Sequence, residues 1–131
     1  MNMADKLSIS LTGVPETLLI PLYYRAHESQ LSDALVKDDK AVEIIRKLDF
    51  DASRFKMQKH DVVALALRIR EFDRFARDFL MAHPDGVVVH IGCGLDTRFE
   101  RVDNGRVERF DLDLPDVIDL RRKLIGGESG R

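Results

Sequence analysis

Two short stretches of this chain carry residue types at spacings that suit ligand chemistry. The first is Gly92-Cys93-Gly94-Leu95-Asp96-Thr97-Arg98, directly after the apolar run Val87 to Ile91. A Gly-x-Gly step behind a strand lets backbone come close to a bound molecule, because neither glycine has a side chain in the way. A dinucleotide-binding loop would carry a third glycine where Thr97 stands, and a phosphate loop would end in Gly-Lys-Ser/Thr. Neither ending is present, so a small adenosine ligand without a pyrophosphate fits better. The second stretch is Asp111-Leu112-Asp113. Asp113 comes about 20 residues after the glycine loop, the separation at which an acid in doubly wound folds accepts hydrogen bonds from ribose hydroxyls. The plainer alternative is that Asp113 caps a helix opening at Pro115, and the two roles are compatible.

Arg68 is the third candidate. Its neighbours at helical spacing are Ala64, Leu65, Phe72 and Phe75, which places it within or beside an apolar stripe. A partly buried arginine needs an anionic partner. That partner is either a ligand carboxylate, gripped by the planar fork, or a structural acid such as Asp96 or Glu28. Arg70, Arg74 and Arg77 share a face with Asp73 and read as solvated. Cys93 reads as a small packing residue rather than a nucleophile. His27, His60 and His83 show no metal-ligand spacing. No residue declares itself as a catalytic base.

Composition narrows the classes. The chain has 131 residues, 21 Lys and Arg against 23 Asp and Glu, and a formal net charge of −2. That balance supplies no basic field for nucleic acid or an anionic membrane. Hydrophobic residues make up 44%, enough to bury a core. No apolar run approaches the roughly 20 residues of a membrane helix, and Leu18 to Leu22 is too short and Pro-broken for a signal peptide. A single cysteine excludes an intrachain disulfide and a Cys-rich zinc site and points to a reducing cytoplasm.

The elements that position these residues follow from periodicity. Met1 to Val14 reads as a polar arm. Pro15 suits a first helical turn, Pro21 interrupts any helix begun there, and residues 22 to 29 allow a short helix. Asp38-Asp39 caps a helix whose buried face is Ala41, Ile44, Ile45 and Leu48. Residues 61 to 81 form the strongest helix, with Val62, Leu65, Ala66, Ile69, Phe72, Ala76 and Phe79 as its stripe, widened by Phe75 and Leu80. Pro84 and Gly86 end it. Val87 to Ile91 reads as a buried strand, Asn104-Gly105 as a turn and Val107 to Leu112 as a second strand. Pro115 opens a last helix, with Arg121, Arg122 and Lys123 complementing the dipole in its last turn and Gly126-Gly127 closing it. The fold class is therefore α/β. Residues 1–83 form an N-terminal helical cap, and residues 84–131 begin a right-handed parallel sheet.

The run Val87 to Arg98, followed by Phe110-Asp-Leu-Asp-Leu-Pro-Asp-Val-Ile118, resembles the leucine carboxyl methyltransferase family. Tyr24-Arg-Ala-His-Glu-Ser29, Asp38-Asp-Lys-Ala41 and Leu67-Arg-Ile-Arg-Glu-Phe-Asp73 resemble its N-terminal signatures. The resemblance implies a class I methyltransferase with a Rossmann-like sheet, S-adenosylmethionine as cofactor and O-methylation of a carboxylate or hydroxyl on a small-molecule acceptor. By position, Gly92 and Gly94 would form the loop beside the methionine part of the cofactor. Arg68 would hold its carboxylate, with Arg25 as a second candidate, and Asp113 would bind the ribose. Many methyltransferases place an acid where His90 stands, two residues before the first glycine.

Family members are longer, with a larger sheet, so the resemblance also implies a truncated form. Two strands leave open edges and an uncovered face, which favours self-association. The alternative is a non-catalytic remnant serving as an oligomerisation or binding module. A nicotinamide-dependent oxidoreductase ranks third, because Thr97 replaces the last glycine.

Overall fold

The computed structural model describes residues 16–48, 51, 53 and 55–126. The polar arm, Pro15 and the stretch from Gly127 onward lie outside the described residues. The element order is α1 (Glu16–Ser29), α2 (Asp39–Lys47), α3 (Lys59–Ala82), β1 (Val87–Ile91), α4 (Arg98–Val102), β2 (Glu108–Leu112) and α5 (Pro115–Ile125). The chain forms two compact units that divide between Leu67 and Arg68, inside α3. The sequence places its change of pattern later, after residue 83.

In the first unit α1 packs on α2. Leu19, Leu22, Tyr23 and Ala26 of α1, and Ala41 and Ile44 of α2, are buried. Pro21 does not interrupt α1, contrary to the sequence expectation. A proline inside a helix forfeits one backbone hydrogen bond and crowds the preceding turn, at about 3 kcal/mol. Here it is the sixth of the 14 residues of α1, past the first turn, and burial of Leu19, Leu22 and Tyr23 on both sides of it outweighs that penalty. Asp38 caps α2 as its sequence position suggests, its carboxylate accepting from the Ala41 amide at 2.9 Å.

In the second unit β1 and β2 are parallel, with Val87 opposite Glu108 and Ile91 opposite Leu112. The Asn104-Gly105 turn leads into β2. The Asn104 side chain accepts from the Arg106 and Val107 amides, and Gly105 takes a positive φ of 76°. Pro115 starts α5 and Gly126 ends it. Burial alternates along both strands. Val87, Val89 and Ile91, with Phe110 and Leu112, stand on an exposed apolar face. The expectation of a buried β1 is corrected: residues at period two point to opposite sides, one of them exposed and the other, with Val88 and His90, half-buried.

The stripe of α3 is also corrected. Val62, Ala66, Ile69, Asp73 and Leu80 are buried, while Phe72, Phe75 and Phe79 are exposed.

Candidate functional site

The glycine loop starts where β1 stops. The Leu112 carbonyl at the end of β2 accepts from both the Gly92 and Cys93 amides, at 2.8 and 3.2 Å. This turns the chain sharply out of the sheet. Gly92 and Gly94 take φ values of 65° and 51°, the left-handed region that glycine enters without steric cost. A side chain at Gly92 would meet nothing within 4 Å, so the loop is open to an approaching molecule on that side.

Asp113 stands against this loop. One carboxylate oxygen accepts from the Gly94 amide at 2.8 Å and the other from the Leu114 amide at 2.7 Å. The N-cap of α5 is Leu114, with no side-chain cap. The capping alternative for Asp113 is thus not what the structure shows. The acid braces the loop, and each of its oxygens keeps a lone pair for a further donor.

A layer of paired charges underlies the loop. Asp73 of α3 is buried and receives Arg98 Nε at 2.9 Å and Arg101 Nε and Nη2 at 2.7 and 3.1 Å. Asp96 of the loop pairs with the same two arginines, at 3.3 and 3.0 Å. Arg121 reaches across from α5 to the Gly94 and Asp96 carbonyls and to Asp111, each at 2.8 Å. Thr97 at the base of the loop is fully buried. Each cation here meets carboxylates or carbonyls, the condition under which buried charge is tolerated.

Sequence reasoning missed two members of this layer. Asp73 was assigned to a solvated face with Arg70, Arg74 and Arg77. Its signal was its place four residues after Ile69 and seven before Leu80, within the buried helical period. Arg121 was assigned to the dipole of α5, but it is buried and faces the loop. Its signal was its place next to Leu120 and three residues before Leu124, on the buried face.

His90 sits in register with Asp111. Its Nε2 is 3.1 Å from Arg98 Nη1 and 3.9 Å from Asp96, and its Nδ1 is 4.0 Å from Asp111. Burial, with the Arg98 guanidinium, holds its imidazole below the ordinary value, against the opposite pull of Asp96 and Asp111. Burial raises the Cys93 thiol, so it stays protonated at neutral pH and packs as a small apolar group.

The two carboxylate-binding candidates differ. Arg68 is exposed on α3 rather than partly buried, and has no ion-pair partner among the described residues. Its proposed structural partner Asp96 is held by Arg98 and Arg101 instead. Arg25 is buried in the first unit and paired with Asp38 at 3.0 Å. Among the described residues no cluster of three or more His, Cys, Asp or Glu could hold a metal. No helix there is long and apolar enough to cross a membrane. A cavity of about 590 Å³ within the first unit is lined mainly by Leu31, Leu35, Met57, Val62 and Val63. Its most buried acid, Glu28, is engaged by the Leu35 amide at 2.6 Å.

Comparison with known proteins adds the context. The family model for leucine carboxyl methyltransferase matches residues 19–130. The tetracenomycin polyketide synthesis O-methyltransferase TcmP of Streptomyces glaucescens is 42% identical over 124 residues, covering 94% of this chain and 46% of that protein. The S-adenosyl-L-methionine-dependent methyltransferase dpfgK of Gibberella zeae is 30% identical over 132 residues, covering 92% of this chain and 44% of that protein. The chain thus spans less than half the length of these curated relatives. No solved structure gives a significant match.

Proposed function

Because the chain belongs to the leucine carboxyl methyltransferase family, we propose that its glycine loop binds S-adenosylmethionine for O-methylation of a carboxylate or hydroxyl on a small molecule. The observation that carries this reading is the open, left-handed Gly92–Gly94 turn with the Asp113 carboxylate fixed beside it. When bound, S-adenosylmethionine supplies a methyl group on a cationic sulfur that transfers by direct displacement. The chain's own residues align and hold. Gly92 and Gly94 admit the ligand to backbone distance. Asp113 offers its remaining lone pairs to the ribose hydroxyls. Arg68, with no ion-pair partner among the described residues, keeps its guanidinium donors for a carboxylate. Arg25 suits that role less well, since Asp38 already engages it. A carboxylate acceptor is ionised at neutral pH and needs no base, whereas a phenol would. The single protonated thiol fits a reducing compartment, the cytoplasm.

The test is calorimetry of this chain with S-adenosylmethionine and S-adenosylhomocysteine, and with NADH as the competing class. Weak, saturable binding of the sulfur ligands and none of NADH supports the reading. The reverse order overturns it.

A second reading rests on a different observation. The apolar sheet face of Val87, Val89, Ile91, Phe110 and Leu112 is a surface that water disfavours. It supports self-association of this chain, as dimer or larger, whether or not methyl transfer occurs. Sedimentation at rising concentration tests this, and a monomer throughout would exclude it.

A further inference from the structure

We infer that Arg121 is the positioning residue of the glycine loop, fixing the turn from Gly94 to Asp96 in its ligand-ready shape. The inference rests on the reading of that loop as the cofactor site. Arg121 lies on α5, far from the loop in sequence, and is buried beside Leu120 and Leu124. Neutralising its charge requires only Asp111, which its Nη2 reaches at 2.8 Å. Its Nη1 does something that charge pairing does not require. It donates to the Gly94 and Asp96 carbonyls, both at 2.8 Å. One nitrogen with two protons thus closes two carbonyls of the same turn onto one point.

The consequence falls on Gly94. Its amide is held by Asp113 and its carbonyl by Arg121, so the peptide units on both of its sides are fixed. The left-handed conformation there, φ 51°, is one that glycine shares about equally with others when free. The two anchors select it. They also hold Asp113 in place against the loop, so the helix that follows the acid positions both the loop and the acid. A lysine in place of Arg121 has a point charge rather than a planar fork and meets fewer of the three acceptors at once. Loss of the guanidinium does not strand Asp111, because Arg109 Nε lies 3.5 Å from it.

The experiment compares the whole chain with Arg121→Gln and Arg121→Lys, with Arg25→Gln as a control that loses a buried ion pair in the first unit. Two readouts are taken: amide hydrogen exchange of residues 93–97 without ligand, and affinity for S-adenosylhomocysteine. Arg121→Gln should speed exchange in the loop and weaken affinity, each about tenfold, while β1 and β2 amides change little. Arg121→Lys should recover part of both. Arg25→Gln should lower the melting temperature and move neither. Loop exchange within about twofold of the parent, measured on Arg121→Lys if the Gln variant does not fold, overturns the inference. A parent chain that fails to bind S-adenosylhomocysteine overturns the cofactor reading instead, and loop exchange then decides the role of Arg121 alone.

Discussion

Buried arginines do different work in the two units. In the first, Arg25 and Asp38 close on each other at 3.0 Å, and Asp38 also caps α2. That pair ties α1 to the start of α2. In the second, Arg98, Arg101 and Arg121 all reach a single loop, meeting its Asp96 side chain or its carbonyls. A pair that only joins helices has satisfied its chemistry once the fold is made. A layer that converges on an open glycine turn also fixes the backbone of that turn. On the proposed cofactor reading of the loop, the difference separates a use of buried charge that joins helices from one that shapes a binding turn.

The largest effect is expected at Asp38. Asp38→Ala leaves the Arg25 charge buried and removes a helix cap, and should cost about 4 kcal/mol of stability by chemical denaturation. Loop exchange at residues 93–97 should not change. Asp73→Ala should cost less, about 3 kcal/mol, because Asp96 still meets both Arg98 and Arg101. Here the loop amides should exchange faster, and equal behaviour of the two variants would erase the distinction drawn above.

The sequence carried the loop and its acid plainly. Glycines at 92 and 94 answer to a backbone need that no other residue meets cheaply, and the spacing to Asp113 follows from one crossover between adjacent parallel strands. The cap at Asp38 was legible for the same local reason. What sequence concealed was burial set by distant packing. Asp73 and Arg121 have ordinary surface types, and partners distant in the chain make them internal, Arg98 at 25 residues for Asp73 and Gly94 at 27 for Arg121. Pro21 misled because its local penalty is real, but buried neighbours outweigh it. The α3 stripe misled because large apolar residues at the right period, Phe72 and Phe75, are exposed, and Phe72 instead lies beneath the Arg98 guanidinium.

Smaller effects sharpen the same contrast. His90 is held below its ordinary value of 6.5, chiefly by burial. The folded chain therefore binds fewer protons than the unfolded chain between the lowered value and 6.5, so stability should fall as pH drops through that window. His90→Gln should flatten this loss, and an unchanged pH profile would place the imidazole outside the charged layer. On the sheet, Ile91→Thr should shift stability by about 0.5 kcal/mol or less while weakening self-association in sedimentation. Arg74→Ala removes exposed contacts with Glu71, Asp78 and the Phe75 ring on α3, and should leave both melting temperature and ligand affinity unchanged.

The most direct test maps where a ligand lands. Backbone amide shifts of the whole chain are followed as S-adenosylhomocysteine is added. Perturbations should centre on Gly92, Gly94, Leu95 and Asp113 and extend to Arg68, with Leu22, Ala41 and Ile44 of the first unit unmoved. Shifts centred instead on Leu31, Met57 and Val63, around the cavity of the first unit, or no shifts at saturating ligand, would contradict the cofactor reading.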